Sequence, residues 1–257
     1  EWAVNGAWGC SCTRPPDGGD AYPRYDAQNN KSTKTAAGWS QAKPVYLLSD
    51  KATIWAYYPY NQAVADGTKV PVPINAGTSV DYMWGKSTNQ VSVIETDAVI
   101  PMKHALSQLV IRLKVSPEYH NDGNLTSAKL KSKAAKFGTS GTMNLNDNGR
   151  IIFSPTSTEL SWTPNTTIPA QGNPSVDFAA AIYPMSLASG EVSMEVVIDG
   201  ATYTYSIPQI SWEAGKRYIY SITMRSNDAE IGGENGQSVT IEPWGSSESD
   251  VTLVPVK

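Results

Sequence analysis

Two histidines and a few carboxylates are the side chains of this chain whose types best suit catalysis. His104 opens an alternating apolar segment, and His120 lies in the turn-like sequence 119–123. Neither belongs to a His-Glu-x-x-His zinc motif, and the sequence also lacks a Gly-x-Ser-x-Gly nucleophile elbow and a phosphate-binding Gly-Lys-Ser loop. We predict that His104 is a packed or partly exposed strand residue and that His120 is a solvated turn residue. The chain is predicted not to be an enzyme and to use no cofactor.

A pair of carboxylates that face each other across a cleft can hydrolyse a glycosidic bond, and such a pair need not be close in sequence. The candidates on or beside predicted strands are Glu95, Asp97, Glu191, Glu195 and Glu213. Glu191 and Glu195 alternate with Ser193, which is typical of the solvent-exposed face of a sheet. We therefore predict a wet sheet face here and no catalytic residues.

Metal binding has two candidate segments. The asparagines of 144–149 resemble the start of a calcium loop, but the twelfth position is Pro155 where that loop needs a bidentate Glu, so a hairpin is favoured. Cys10 and Cys12 would place their Cβ atoms about 6.5–7 Å apart on a strand, too far for a disulfide. A buried pair of free thiols is the favoured interpretation, since no third or fourth metal ligand is evident. We predict no metal site.

The aromatic residues suggest a different chemistry, the stacking of sugar rings. The chain has 8 Trp and 13 Tyr but only 3 Phe, so most of its aromatic rings also carry a polar group. Trp55, Tyr58, Tyr60 and Trp84 are the candidate glycan-contact residues. The alternative is that they pack in the core or cover a domain junction, and packing is favoured.

Composition and charge restrict the class of protein. A hydrophobic content of 40% over 257 residues is enough for a sizeable core. Only 17% of the residues are charged, and turn-forming residues are abundant, as in surface β-sandwiches. The net charge of −4 lacks the basic footprint of a nucleic-acid-binding protein. No apolar run reaches the roughly 18–20 residues of a membrane-spanning helix, so contact with a membrane is expected only through a lipid anchor that has been removed.

The elements that must position these residues are predicted to be short strands, because period-two alternation is common and helical periodicity is almost absent. The strongest strand is predicted where Leu109, Ile111, Leu113 and Val115 share one face. The other predicted strands are 7–13, 44–48, 53–58, 70–74, 91–96, 99–102, 126–131, 141–145, 150–153, 176–183, 191–198, 202–207, 217–224, 239–241 and 251–256.

Turns and the domain boundary complete the prediction. The segments Asn146–Gly149 and Asp199–Gly200 are predicted hairpin turns, because Asn-Gly and Asp-Gly tolerate positive φ. The polar segment from Arg14 to Gln41 is predicted to be a surface excursion. A boundary near residue 103 would give an N-terminal β-sandwich of residues 1–103 and a C-terminal β-sandwich of residues 104–257.

Five segments together resemble the fimbrillin-like proteins of Bacteroides-type bacteria, the subunits of the type V pilus. They occur in the order found in that family and span most of the chain. The segments are Ala56–Tyr60, Met102–Leu109, Ala181–Pro184, Ala214–Tyr218 and Val239–Trp244.

This resemblance implies an all-β fold of two tandem transthyretin-like β-sandwich domains. It also implies export as a lipoprotein precursor to the outer membrane of a Gram-negative cell and a place in a fimbrium at the cell surface. A protease would remove an N-terminal strand after a basic residue, and a terminal strand of a neighbouring subunit would fill the groove. The implied partners are other pilus subunits and a ligand on a host or bacterial surface. The competing hypothesis is a carbohydrate-binding protein of the cell surface.

The C-terminal tail is the candidate polymerisation strand. Val251 and Leu253 lie on one face of the predicted strand, and Val254 and Val256 lie on the other. Pro255 restricts the segment to a sheet edge or a strand end. The tail is either a donor strand or the last strand of the C-terminal sandwich, and the second alternative is favoured for an isolated subunit.

Overall fold

The computed structural model describes residues 7–13, 28–36, 38–74, 80–167, 176–224, 229–231, 239–244 and 250–253. These residues form strands and a single 3₁₀ turn, Leu145–Asp147. The strands are β1 Ala7–Thr13, β2 Asn30–Thr35, β3 Gly38–Gln41, β4 Thr53–Tyr58, β5 Lys69–Pro73, β6 Met83–Lys86, β7 Ala98–His104, β8 Ser107–Val115, β9 Asn124–Ser132, β10 Ser140–Asn144, β11 Arg150–Phe153, β12 Glu159–Trp162, β13 Thr166–Thr167, β14 Val176–Ile182, β15 Met185–Leu187, β16 Val192–Ile198, β17 Ala201–Ser206, β18 Ile210–Trp212, β19 Lys216–Met224, β20 Ala229–Ile231, β21 Thr240–Pro243 and β22 Asp250–Leu253. Among the described residues, no helix has the length and apolar character that crossing a membrane requires.

The first sandwich is built on a seven-stranded sheet with the order β22-β7-β6-β4-β1-β2-β3. A three-stranded sheet, β11-β10-β5, packs against it. The alternation of β5 buries Val70 and Val72, which share a core with Met143 of the neighbouring strand β10 and with Trp55 and Tyr57 of the facing sheet. The first sandwich therefore has one broad layer and one narrow layer.

The opposite face of the seven-stranded sheet is covered by chain that is not paired into strands. Ala56, Ala98 and Ile100 are buried on this face, and half-buried residues of 45–48 pack against them. The predictions of strands at 44–48 and 91–96 are wrong, because only Val91 forms an isolated bridge, to Ala52. These segments are apolar because their side chains cover the face of a sheet. Their backbones do not form strands of it.

The second sandwich packs the sheet β12-β9-β16-β17 against a sheet in which β8 lies between β14 and β19. The face of Leu109, Ile111 and Leu113 that the sequence predicted is fully buried in this core. Strand β19 pairs with β8 in parallel, and β20 and β21 pair with the other edge of β19. A two-stranded sheet, β15-β18, adds Leu187 and Trp212 to the same core. The all-β prediction is confirmed.

Both predicted hairpin turns are confirmed by their backbone angles. Asn148 and Gly149 have φ of 50° and 68°, and Asp199 and Gly200 have φ of 50° and 79°. These turns connect the antiparallel strand pairs β10–β11 and β16–β17. Positive φ at consecutive residues gives the turn the twist that the flanking strands need.

The prediction of a surface excursion from Arg14 to Gln41 is wrong for its second part. Residues 30–35 and 38–41 form the hairpin β2–β3 at the edge of the seven-stranded sheet. The side chain of Asn30 is buried and bonds to both the N–H and the carbonyl oxygen of Lys43. Because side-chain and sheet hydrogen bonds stabilise this hairpin, its sequence shows no apolar alternation.

The sheets pair strands from both sides of the predicted domain boundary. Strand β5 pairs with β10, and the terminal strand β22 pairs with β7. The boundary between residues 103 and 104 stays a prediction.

Candidate functional site

The terminal strand β22 pairs with β7 at the edge of the seven-stranded sheet. The pairing is antiparallel and aligns Val251 with Ile100 and Leu253 with Ala98. The alternative in which the tail is the last strand of the C-terminal sandwich is therefore wrong, because β7 belongs to the first sandwich. Val254 and Val256 lie outside the described residues.

Strand β7 is held firmly on its other side. The Val99 N–H donates to Oδ1 of Asn89 (3.1 Å), and the Val99 carbonyl oxygen accepts from the Thr88 N–H (2.9 Å). Successive residues of a strand direct their backbone groups to opposite edges, so Ala98 and Ile100 present theirs to β22. The side chains of Ala98 and Ile100 are buried in the core cluster behind the sheet. The edge of β7 that pairs with β22 thus belongs to a strand that is hydrogen-bonded on its other side and packed on a core cluster.

The chain is anchored just before the tail, at Trp244. Its backbone N–H donates to the carbonyl oxygen of Gly215 (2.7 Å), and its ring stacks on His104 with centroids 4.7 Å apart. Nδ1 of His104 lies 2.9 Å from Oδ1 of Asp81. His104 is therefore a packed strand residue, as predicted. Asp81 could not be recognised from local sequence, because its partner His104 is 23 positions away.

The predicted glycan-contact aromatics do not form an open platform. Trp55 and Trp84 are only 4% and 9% exposed, and both belong to the core of the first sandwich. The Lys86 ammonium lies 4.8 Å from the ring centroid of Trp55. Tyr58 and Tyr60 are half-buried and pack against different core clusters. Burial leaves little of either indole for a sugar to stack on, and glycan contact stays a prediction.

The carboxylates proposed as acid–base candidates are exposed or paired with lysine. Oε1 of Glu191 accepts from Nζ of Lys136 at 2.7 Å, and Oε2 of Glu195 accepts from Nζ of Lys131 at 2.7 Å. The hydrogen bond from Lys136 lowers the pKa of Glu191, whereas a general acid needs a raised pKa. Glu95 and Asp97 are exposed, and Glu213 pairs with Lys216 at 2.9 Å. The wet-face prediction for β16 is confirmed by its burial alternation.

Metal ligands are not gathered anywhere in the part of the chain that the structure describes, where no group of three His, Cys, Asp or Glu side chains is close enough to hold an ion. The segment 144–149 is a hairpin connection, with Asn146 N–H donating to Oδ1 of Asn144. Cys10 and Cys12 lie in β1, but their side chains are outside the described residues.

Comparisons with known proteins agree with this architecture. A family model described as fimbrillin-like matches residues 12–244. A proposed cell adhesion protein from Bacteroides uniformis is 18% identical, with a TM-score of 0.70 over 95% of this chain and 93% of that one. A fimbrial protein from Bacteroides vulgatus is 16% identical, with a TM-score of 0.59 over 94% of each chain. The truncated tip fimbrial protein Mfa3 from Porphyromonas gingivalis is 9% identical, with a TM-score of 0.51 over 93% and 94%. A search of curated proteins found no match.

The structural neighbours share the fold, and the family model carries the assignment. A fimbrillin-like match supports a structural protein of a cell-surface appendage rather than an enzyme, and a subunit that assembles with others. The family model covers most of the chain, including all five segments that carry the resemblance and most of the seven-stranded sheet. The last of these segments, Val239–Trp244, ends at the last matched residue. The chain belongs to the fimbrillin-like family.

Proposed function

We propose that the chain is a structural and adhesive subunit of a type V pilus that polymerises by exchange of its terminal strand. The observation that carries this proposal is the pairing of β22 with the edge strand β7. β22 is the outermost strand of its sheet, so its departure breaks no other strand pair. The same backbone hydrogen bonds form when β22 of a neighbouring subunit takes this position.

The anchor at Trp244 defines where exchange begins. Because Trp244 stays bonded to Gly215 and stacked on His104, the residues that follow it are the ones that move to the neighbour. The acceptor residues Ala98 and Ile100 remain part of their core cluster in either state. Exchange therefore changes the connection between subunits without repacking either sandwich.

The family resemblance supports the remaining parts of the proposal. The subunit would be exported as a lipoprotein, reach the outer membrane and lose an N-terminal strand to a protease before assembly. Its partners would be other pilus subunits and a ligand on a host or bacterial surface. N-terminal sequencing of subunits from assembled fimbriae, compared with the precursor, tests the proteolytic step.

A cross-strand disulfide tests strand exchange directly. Thr252 lies opposite Val99 in a pair that does not exchange hydrogen bonds, where Cα atoms are about 4.5 Å apart. That spacing permits a disulfide, so we expect Val99→Cys/Thr252→Cys, in a Cys10→Ser/Cys12→Ser background, to cross-link. Oxidised polymers should give a ladder of covalent oligomers on non-reducing gels. Polymers that dissociate only into monomers containing an internal disulfide would show that β22 is not exchanged.

Deletion of residues 250–257 is the complementary test. We expect a folded monomer with an unchanged circular dichroism spectrum that no longer polymerises. A chain of the same length with a Gly-Ser segment in place of 250–257 controls for the loss of mass. Normal polymers from either variant would contradict the role of the tail.

A further inference from the structure

A cleft of about 440 Å³ follows strand β11 in the first sandwich. Every residue from Asn148 to Phe153 lines it, together with Trp84, Ala105, Pro184 and Ala214. The indole of Trp84 packs directly against Gly149, where a side chain would leave no room for it. Phe153 is fixed by stacking on Tyr183, with centroids 4.5 Å apart. The cleft thus combines the rings of Trp84 and Phe153 with polar surface of about equal extent.

The two edges of the three-stranded sheet differ in how they are protected. Among the described strands, β5 and β11 each pair only with β10, so each has one edge without a strand partner. β5 contains Pro71 and Pro73, which lack the N–H that a further strand would need. β11 contains no proline, and alternate residues present both N–H and carbonyl groups to the cleft side. Strand addition is blocked at β5 and open at β11.

The charges at the cleft favour an acidic occupant. Arg150 begins β11, and its side chain is 73% exposed. The ammonium of Lys103 lies 5.6 Å from the ring centroid of Trp84. In the described part of the chain, Arg150 has one recorded carboxylate contact, a weak one with Asp147 at 3.8 Å. The carboxylate of Glu213, next to Ala214, is already paired with Lys216. At the cleft, the positive charges of Arg150 and Lys103 therefore outnumber the negative charge of the weakly paired Asp147.

We infer that this cleft binds an extended acidic segment of another protein, which adds to β11 as a fourth strand. Four residues of such a segment would run about 13 Å beside β11. Alternate side chains would enter the cleft over Trp84 and Phe153, and acidic side chains would face Arg150 and Lys103. This interaction is additional to strand exchange, because it uses a different sheet and leaves the β7 edge occupied by β22.

Binding of short labelled peptides to the full chain tests this inference. The probe is a fluorescein-labelled peptide of alternating glutamate and valine, and its counterpart has lysine in place of glutamate. We expect the acidic peptide to bind at least about tenfold more tightly by fluorescence anisotropy, and Arg150→Glu to weaken it by about tenfold. Lys69→Glu on the proline-containing edge changes the net charge equally and should leave binding within about twofold.

A backbone readout separates strand addition from other binding. The acidic peptide should slow amide hydrogen exchange within residues 150–153, at the alternate residues whose N–H groups face the cleft and become bonded. Equal binding of both peptides, equal effects of Arg150→Glu and Lys69→Glu, or unchanged exchange at 150–153 would each overturn the inference. Binding of polygalacturonate in this cleft without amide protection would overturn it in favour of an acidic glycan.

Discussion

The two sandwiches use their basic residues in opposite ways. In the second sandwich cations on the sheet faces bond to carboxylates: Lys131 to Glu195, Lys136 to Glu191 and Arg112 to Asp177. In the first sandwich cations lie over aromatic rings: Lys31 over Tyr60, Lys34 over Trp39, Lys86 over Trp55 and Lys103 over Trp84. A carboxylate neutralises a cation, whereas an aromatic ring attracts it and leaves its charge in place.

This difference matches the edges of the sheets. The first sandwich contains both edges for which we propose partners, β7 and β11. In the second sandwich, Lys131, Lys136 and Arg112 are neutralised by carboxylates of the same sandwich. We therefore expect the second sandwich to serve as a frame and the first to present the surfaces that bind other chains. Four sets of substitutions test this difference between the sandwiches.

A cavity in the second core should cause the largest loss of stability. Leu113 is fully buried in that core, and we expect Leu113→Ala to reduce the free energy of unfolding by about 2–5 kcal/mol. Ile152→Ala, at a side chain that is 61% exposed, should change it by less than about 0.5 kcal/mol. Urea denaturation measures both. A small effect of Leu113→Ala would contradict a rigid frame.

The two hairpin glycines should respond differently to alanine. At Gly149 an added Cβ would lie 2.1 Å from Cδ1 of Trp84, whereas at Gly200 it would meet no atom within 4 Å. Both residues have positive φ, which alone costs an alanine about 1–2 kcal/mol. We expect Gly200→Ala to lose only that amount and Gly149→Ala to lose about 1–3 kcal/mol more. Equal unfolding free energies for the two variants would show that Trp84 is free to move.

The hairpin turn at Asp199 should make the second sandwich sensitive to acid. Burial alone raises the pKa of this carboxyl, but hydrogen bonds from the Tyr119 hydroxyl and the N–H groups of Asn124 and Gly123 outweigh it and hold that pKa below its ordinary value. A lowered pKa in the folded state contributes stability at neutral pH that is lost as the pH falls below about 4.

Tyr119→Phe should therefore cost about 1–2 kcal/mol at pH 7, through the lost hydrogen bond. Because the Asp199 pKa then lies nearer its ordinary value, the difference between variant and parent should shrink as the pH falls below about 4. Unfolding free energies measured at several pH values check this. A difference that is constant with pH would mean that Tyr119 does not act through the Asp199 carboxylate.

Removing one surface ion pair should have the smallest effect. We expect Glu195→Gln to cost less than about 1 kcal/mol, because the Lys131 side chain it bonds is 40% exposed. The cost should fall further at high salt, which screens the pair. Lys86→Met in the first sandwich provides the comparison, since its partner is a ring rather than a charge. An equal salt dependence for the two variants would contradict the difference between cations paired with carboxylates and cations over aromatic rings.

The sequence predicted strands well where one face is buried. β16 was placed within a residue of its observed bounds because its apolar residues alternate. β4 and β19, which bury three consecutive residues each, were placed equally well from their runs of β-branched and aromatic residues. The hairpin β2–β3 was not predicted because its buried residues, Asn30 and Ser32, are polar. Hydrogen bonds such as that from Asn30 to Lys43 take the place of apolar contacts there. Segments 44–48 and 91–96 were given as strands because apolar residues that cover a sheet resemble those that form one.

Both strands of the candidate site could be predicted from the sequence, but their pairing with each other could not. The strand character of Val251–Leu253 was predictable, but its partner β7 lies about 150 residues earlier in the chain, and no local pattern specifies a pairing over that distance. The open edge of β11 likewise depends on which strands are neighbours. Topology, which the sequence does not display, decides where edges are.

The parallel pairing of β8 with β19 has a consequence for how the chain reaches its folded state. The two strands form the centre of the second sandwich, yet Arg217 pairs with Gln108, about a hundred residues earlier. Closing so long a loop costs entropy before the pairing returns any contact energy. A chain that emerges from its N-terminus onward cannot complete this core until β19 has also emerged. The core of the second sandwich should therefore form late, only after residue 224 has emerged.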